Sequence, residues 1–252
     1  MQFPSRFLVT LASVLLFVSA RSVHSQAVAL PADSLLQDMA AAYTKAQSYS
    51  DKGVATYHQR DGGEGVTANF QIWFARPGSI RVDAESTQPG AVPKREVLWS
   101  DGTNTRTWAT GKPVSTHAKV KIAGSGLFGA YAYHIPSLLD ASYGARRRLH
   151  QLSGVALVGE EIFEGVNCHH LRGQWEGDDY EVWIGSADHL VRKIVATYSD
   201  HKLEEIHRDI HVDQSIPKTT FQFAPENETV AKKPMESSKP PAAKPQPTPA
   251  RK

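Results

Sequence analysis

The chain has 252 residues, a formal net charge of +2 and one cysteine, Cys168, so an intramolecular disulfide is excluded and stability has to come from an apolar core. Arg6 and Arg21 near the start, with six cations against Glu236 beyond Val230, account for seven positive charges and leave residues 22–229 at −5. An acidic central region excludes the basic face that nucleic-acid binding requires.

Residues 1–25 read as a secretory signal. Arg6 precedes an apolar run from Phe7 to Val18, broken only by Thr10 and Ser13, and Ser25 offers a small residue at the cut site. The run is shorter than the roughly 20 apolar residues of a spanning helix. No cysteine flanks the cut, so the expected product is a soluble periplasmic protein without a lipid anchor. Residues 26–229 then form one domain and residues 230–252 a tail. Rich in Pro, Ala and Lys and almost devoid of large apolar residues, the tail is expected to stay extended and disordered. Its cations also suit a tether to an anionic envelope surface.

Pro31 to Tyr49 reads as an amphipathic helix, with Leu35, Met39, Ala42 and Ala46 on one face and Leu36 and Tyr43 widening the stripe. From Lys52 the period changes to two. Val54–His58, Thr67–Ala75 and Ile80–Glu85 read as strands, separated by the Asp61–Gly65 turn and the Arg76-Pro77-Gly78-Ser79 corner. Val97–Ser100 and Arg106–Ala109 flank Asp101-Gly102, a hairpin signal. The glycine-rich stretch Gly124–Gly129 leads into Tyr131–Tyr143, and Leu127, Phe128, Tyr131, Ile135, Leu138 and Leu139 suit one or two short helices broken at Pro136. Strands resume at Val155–Phe163, Asn167–Gln174, Tyr180–Ile184, Leu190–Tyr198, Leu203–Val212 and Thr220–Phe223. About ten strands at this spacing make a mostly β (α+β) domain that curls into a barrel or a deeply bent sheet.

Chemistry-bearing residues are few. In Cys168-His169-His170 only Cys168 and His170 can share a strand face, too few ligands for zinc. His207, Asp209 and His211 alternate along one strand and are the better metal candidates, although weak ones, since a solvated polar face explains them without any ion. On this reading Ile206, Ile210 and Val212 take the other face. Gly124-Ser125-Gly126 has neither the nucleophile-elbow nor the phosphate-loop spacing. Nothing pairs a nucleophile with a base, so no enzyme and no cofactor is expected.

Three segments carry a family resemblance. Ile72-Trp73-Phe74-Ala75-Arg76-Pro77-Gly78-Ser79-Ile80-Arg81 resembles the strand–Arg-Pro–strand segment of periplasmic lipoprotein-sorting carriers of the LolA type. Ser100-Asp101-Gly102 with Trp108 resembles that family's next hairpin, and Phe221-Gln222-Phe223-Ala224-Pro225 its closing strand. Glu164–Leu171 with Glu181–Ile184 is similar to an uncharacterised periplasmic branch of the superfamily. The resemblance implies an incomplete, strongly curved antiparallel β-barrel with covering helices around an apolar cavity. It also implies lipid or acylated lipoprotein as cargo, and membrane donor and acceptor proteins as partners. An Arg at the place of Arg76 would hold the helical lid. Trp73, Phe74, Trp99, Trp108, Phe128, Tyr131, Trp175 and Trp183 are candidates to line or close such a cavity, with Trp73 and Phe74 on opposite faces. The chain departs from the family in its single Pro after Phe223, its long basic tail and its Cys168-His169-His170 run. Two rival readings are an envelope sensor module of the same fold and a metal-dependent envelope enzyme using His207, Asp209 and His211.

Overall fold

The computed structural model of the protein describes residues 31–60, 65–118, 134–143 and 149–225. The expected signal segment, the tail, the Gly124–Gly129 stretch and two candidates, Phe128 and Tyr131, lie outside the described residues. Among the described residues no helix is long and apolar enough to cross a membrane.

The strands are β1 (Ser48–Gln59), β2 (Val66–Ala75), β3 (Ser79–Thr87), β4 (Lys94–Asp101), β5 (Thr105–Ala109), β6 (Ser115–His117), β7 (Ser153–Phe163), β8 (Val166–Trp175), β9 (Asp178–Gly185), β10 (Val191–Thr197) and β11 (His201–Val212). They form one sheet in the order β6-β5-β4-β3-β2-β1-β11-β10-β9-β8-β7. Every neighbouring pair is antiparallel, and every pair except β1–β11 is consecutive in sequence, the meander that the short turns dictate. β6 and β7 are left as edges, so the sheet is open, the incomplete barrel expected.

Alternation along the strands sorts the side chains into two faces. Register places Tyr49, Phe74 and Ile80 on one face, with Ile72, Val82 and Leu98 beside them, and carries that face across Leu203, Ala196, Tyr180 and Leu171. These side chains belong to the main core cluster, together with Leu35, Met39 and Tyr43 of helix α1 (Ala32–Lys45) and Ile135, Leu138 and Leu139 of helix α2 (His134–Leu139). Both helices therefore cover this inner face. Each large apolar side chain buried there contributes about 1.5–3 kcal/mol.

The structure corrects four details. Helix α1 stops at Lys45 rather than Tyr49: Ala46 is already extended at φ −55°, ψ 127°. Tyr49 sits in β1, opposite Phe74 and Val212, and packs a tilted ring against Tyr43, with centroids 5.5 Å apart. Pro136 does not break α2, because it occupies the first turn, where its missing N–H has no helical acceptor to lose. β6 was not expected; three residues are too short for an alternation signal. Thr220–Phe223 is no strand. Between Pro217 and Pro225 the chain takes a 3-10 turn, Lys218–Phe221, closed by Thr220 N–H donating to the Pro217 carbonyl at 2.9 Å.

Candidate functional site

Helices α1 and α2 end beside each other, and one side chain reaches both. Arg76, at the corner after β2, donates from Nε to the Ala46 carbonyl (2.9 Å) and from Nη2 to the carbonyls of Thr44 (2.6 Å) and Leu139 (3.0 Å). These oxygens lie at or just past the helix ends, where backbone acceptors lack intrahelical partners, and a planar guanidinium fork is well shaped to meet several at once. The Arg76 guanidinium also lies 5.3 Å from the Phe74 ring centroid. A groove of about 670 Å³ opens here between the helices, lined by Gln37, Ala41, Thr44, Arg76, Leu138 and Asp140 among others.

Below α2 the apolar inner face is interrupted by a chain of buried ionisable groups. His134 Nδ1 lies 2.6 Å from Glu205 Oε2, His207 Nε2 lies 3.1 Å from Glu205 Oε1, and His207 Nδ1 lies 2.6 Å from Asp51 Oδ2. Tyr49 Oη donates to the same Asp51 oxygen at 2.7 Å. All four charged-type side chains are inaccessible to solvent. Burial disfavours the charged form of His207, but its contacts with Asp51 and Glu205 outweigh that and raise it to about 9. Burial likewise pushes the Glu205 carboxyl up, and His134 and His207 together bring it below the usual carboxylate value. Tyr49 is driven well above its ordinary value by burial and by the Asp51 charge.

The three metal candidates do not converge. Strand β11 carries a bulge: Lys52 faces Arg208, Ser50 faces His211, and Asp209 takes a left-handed φ of 50° between them. The extra residue reverses the phase of the last residues of the strand. His207 is buried on the inner face, whereas Asp209 and His211 are exposed, and Asp209 pairs with Lys52 at 3.0 Å. Ile210 and Val212 consequently pack against the main core, while Ile206, one residue from His207, does not share their phase. Among the described residues no group of three or more His, Cys, Asp and Glu is arranged to hold a metal ion.

The aromatic candidates divide by face. Phe74 belongs to the inner core, and Trp175 packs against it. Trp73 faces Arg81 across β3, and Trp99 and Trp108 form a separate outer cluster with Val97 and Phe223. Trp183 lies in another outer cluster with Cys168 and Val195. There His170 stacks on it at 4.0 Å, with its two ring nitrogens at Glu161 (2.8 Å) and Glu181 (2.9 Å). Cys168 and His170 thus share a face, as alternation requires. Asp51, His134 and Glu205 went unnoticed in the sequence; the available signal was Glu205 two residues from Leu203 and from His207, on the phase that faces Ala55 and Tyr57.

Residues 141–231 match the family described as Predicted periplasmic protein (DUF2092). No curated protein matches the chain. Among solved structures, the chain is similar to LprF from Mycobacterium bovis, with TM-score 0.49 and 13% identity over 74% of this chain and 95% of that one. It is also similar to lipoprotein LppX from Mycobacterium tuberculosis, with TM-score 0.47 and 10% identity over 74% and 97%. A LolA superfamily protein from Nitrosomonas europaea gives TM-score 0.39 and 10% identity over 77% and 99%.

Proposed function

We propose that this protein is a periplasmic, non-enzymatic carrier that binds lipid or lipoprotein acyl chains against the inner face of its sheet, under α1 and α2. The observation that carries the reading is Arg76, whose three hydrogen bonds tie both covering helices to one corner of the sheet. A cover held by a few polar bonds over an apolar layer can close on itself when empty and part when an acyl chain enters. The driving force is adequate: shielding an acyl chain from water contributes about 0.8 kcal/mol per methylene, so a chain of ordinary length offsets several lost hydrogen bonds. The groove beside Arg76 offers an entry whose size falls within the range of small-ligand sites. The periplasmic description of the matching family and the motif resemblance around Arg76 support the same reading.

Native mass spectrometry with lipid extraction, on protein purified from the cell envelope, tests it. A carrier emerges with acyl lipid bound in a defined ratio. Protein that never retains lipid, and that takes up none from acylated peptide or detergent-free lipid, would rule the reading out.

A further inference from the structure

Helix α2 is fastened at both ends. Its last carbonyl, on Leu139, accepts from Arg76; its first residue, His134, reaches into the sheet and meets Glu205 at 2.6 Å. The inner contact is unlike the outer one because it belongs to a closed set of charges. His207 turns one ring nitrogen to Asp51 and the other to Glu205, so a doubly protonated ring is what allows two carboxylates to sit in one dry site. Asp51 Oδ1, His134 Nε2, Glu205 Oε1 and His207 Nε2 are buried without an aligned hydrogen bond, so the 3.1 Å contact between His207 and Glu205 is held by charge, and the set depends on its charges balancing.

We propose that α2 is a cover latched at its N-terminus by the buried chain His134–Glu205–His207–Asp51, and that the charge balance of this chain governs whether α2 is shut. The proposal rests on the carrier reading only in calling α2 the cover of a ligand site. Its logic is electrostatic. Protonating Glu205 removes the charge that holds His134. Removing a proton from His207 turns a lone pair towards one of two carboxylates, which then needs water, and lifting α2 is the way to admit it. Among the described residues, the other groups around the chain include Tyr49 on β1, bonded to Asp51, Tyr43 on α1, which meets Tyr49 and feels the Asp51 charge, the Phe70 ring edge on β2, and Tyr180 on β9. Tyr180 stands edge-on to His134 at 6.0 Å and shares a 3.1 Å hydrogen bond with Tyr198 just beyond β10. These phenol and ring neighbours are neutral at neutral pH and supply no substitute charge. Because His207 holds its proton up to about pH 9, the latch is shut at neutral pH and loosens above that value.

The full chain tests this without any lipid, by hydrogen exchange of residues 134–143 at about pH 7 and by apolar-dye fluorescence at about pH 7 and about pH 10. The wild type should bind more dye at the higher pH. His134→Leu should speed exchange of α2 about tenfold while β9 and β10 keep their protection, and should bind dye at neutral pH. The double variant His134→Leu/Glu205→Leu replaces the pair with apolar contact. It should restore slow exchange in α2 and abolish the dye rise at high pH. Unchanged α2 protection in His134→Leu, or exchange that rises equally throughout the sheet, overturns the latch. If the single variant fails to fold, equal wild-type dye binding at both pH values, or a high-pH rise retained in the double variant, overturns it equally. A latch that behaves as described in a protein that binds no lipid would refute the carrier reading alone.

Discussion

At the corner between β2 and β3 a single guanidinium satisfies three carbonyl oxygens from two helix ends. Hydrogen bonds to a charged group contribute roughly 1.5–3 kcal/mol, enough to shift a two-position cover by tenfold or more. Arg76→Leu should therefore raise apolar-dye binding by the empty protein about tenfold and slow release of acyl cargo. Arg76→Lys, which keeps the charge without the planar fork, should give a smaller change. Dye titration on protein with unchanged far-ultraviolet circular dichroism checks both. A second expectation at this scale comes from His207 and Glu205. His207 is raised from 6.5 to about 9 in the folded state, so its stabilisation is complete below pH 6.5 and lost as pH climbs through 9. Glu205 is lowered from 4.5, so its stabilisation is present above that value and lost as pH falls below it. Melting temperature should peak between these limits, and the alkaline limb, on the order of 3 kcal/mol, should flatten in His207→Gln. Arg76 was legible through the resemblance of the Ile72–Arg81 segment to the sorting carriers; the corner Arg-Pro alone is equally the place of a surface ion pair. Asp51 and Glu205 were not. A buried carboxylate in a strand reads as a solvated one until its partner, on another element, is known.

Elements read well where periodicity was long and poorly where chain direction changed. β2, β8 and β11 were expected to within a residue or two, since a half-buried strand enforces its own alternation. The helix end at Lys45, the bulge at Asp209 and the turn after Pro217 were missed, because each is decided by contacts from elsewhere. The turn shows this best. Instead of pairing, the segment folds onto the outer side of β3–β5, where Phe223 lies 5.1 Å from Trp99 and 5.4 Å from Trp108. Arg81 donates to the Thr220 carbonyl at 3.2 Å and lies over the Phe223 ring, while an ion pair to Asp83 at 2.7 Å steadies it. Aromatic pairs of this kind contribute about 0.5–1.5 kcal/mol beyond the area they bury. Phe223→Ala should lower stability by about 1–3 kcal/mol and shift tryptophan emission to the red as Trp99 and Trp108 gain water. Chemical denaturation tracked by fluorescence reads both effects at once. An unchanged emission maximum would mean that the segment does not shield the cluster.

The molecule as a whole divides its charge: −5 over residues 22–229 and +5 over the tail. We propose that the tail contributes adhesion rather than stability. Removing residues 230–252 should leave the melting temperature nearly unchanged and weaken binding to anionic vesicles. The loss should be largest at low salt, because exposed charges are screened within about 10 Å at 0.1 M. A fall of several degrees in melting temperature would show instead that the tail packs on the domain. The meander itself was legible, since short connections separate the alternating strands, with turn residues at Asp61–Gly65, Arg76–Ser79 and Asp101-Gly102. That β1 pairs with β11 was not, because no local signal links strands so far apart in sequence.

That pairing makes one seam in the sheet unlike all the others. Each other neighbour is joined by a connection within the chain's own order, so its strands can find each other early; β1 and β11 must meet across about 150 residues, and Asp51 and His207 are 156 apart. The seam is thus the slow closure in assembly, and it is where the buried charges sit. Slipping β11 by one residue against β1 would turn Glu205 and His207 outward and leave Asp51 buried with no counter-charge, at a cost of several kcal/mol. The ionic chain therefore acts as a proofreader of the fold: a two-residue slip would keep the apolar phase inward, whereas Asp51 accepts only the register that returns His207 to it.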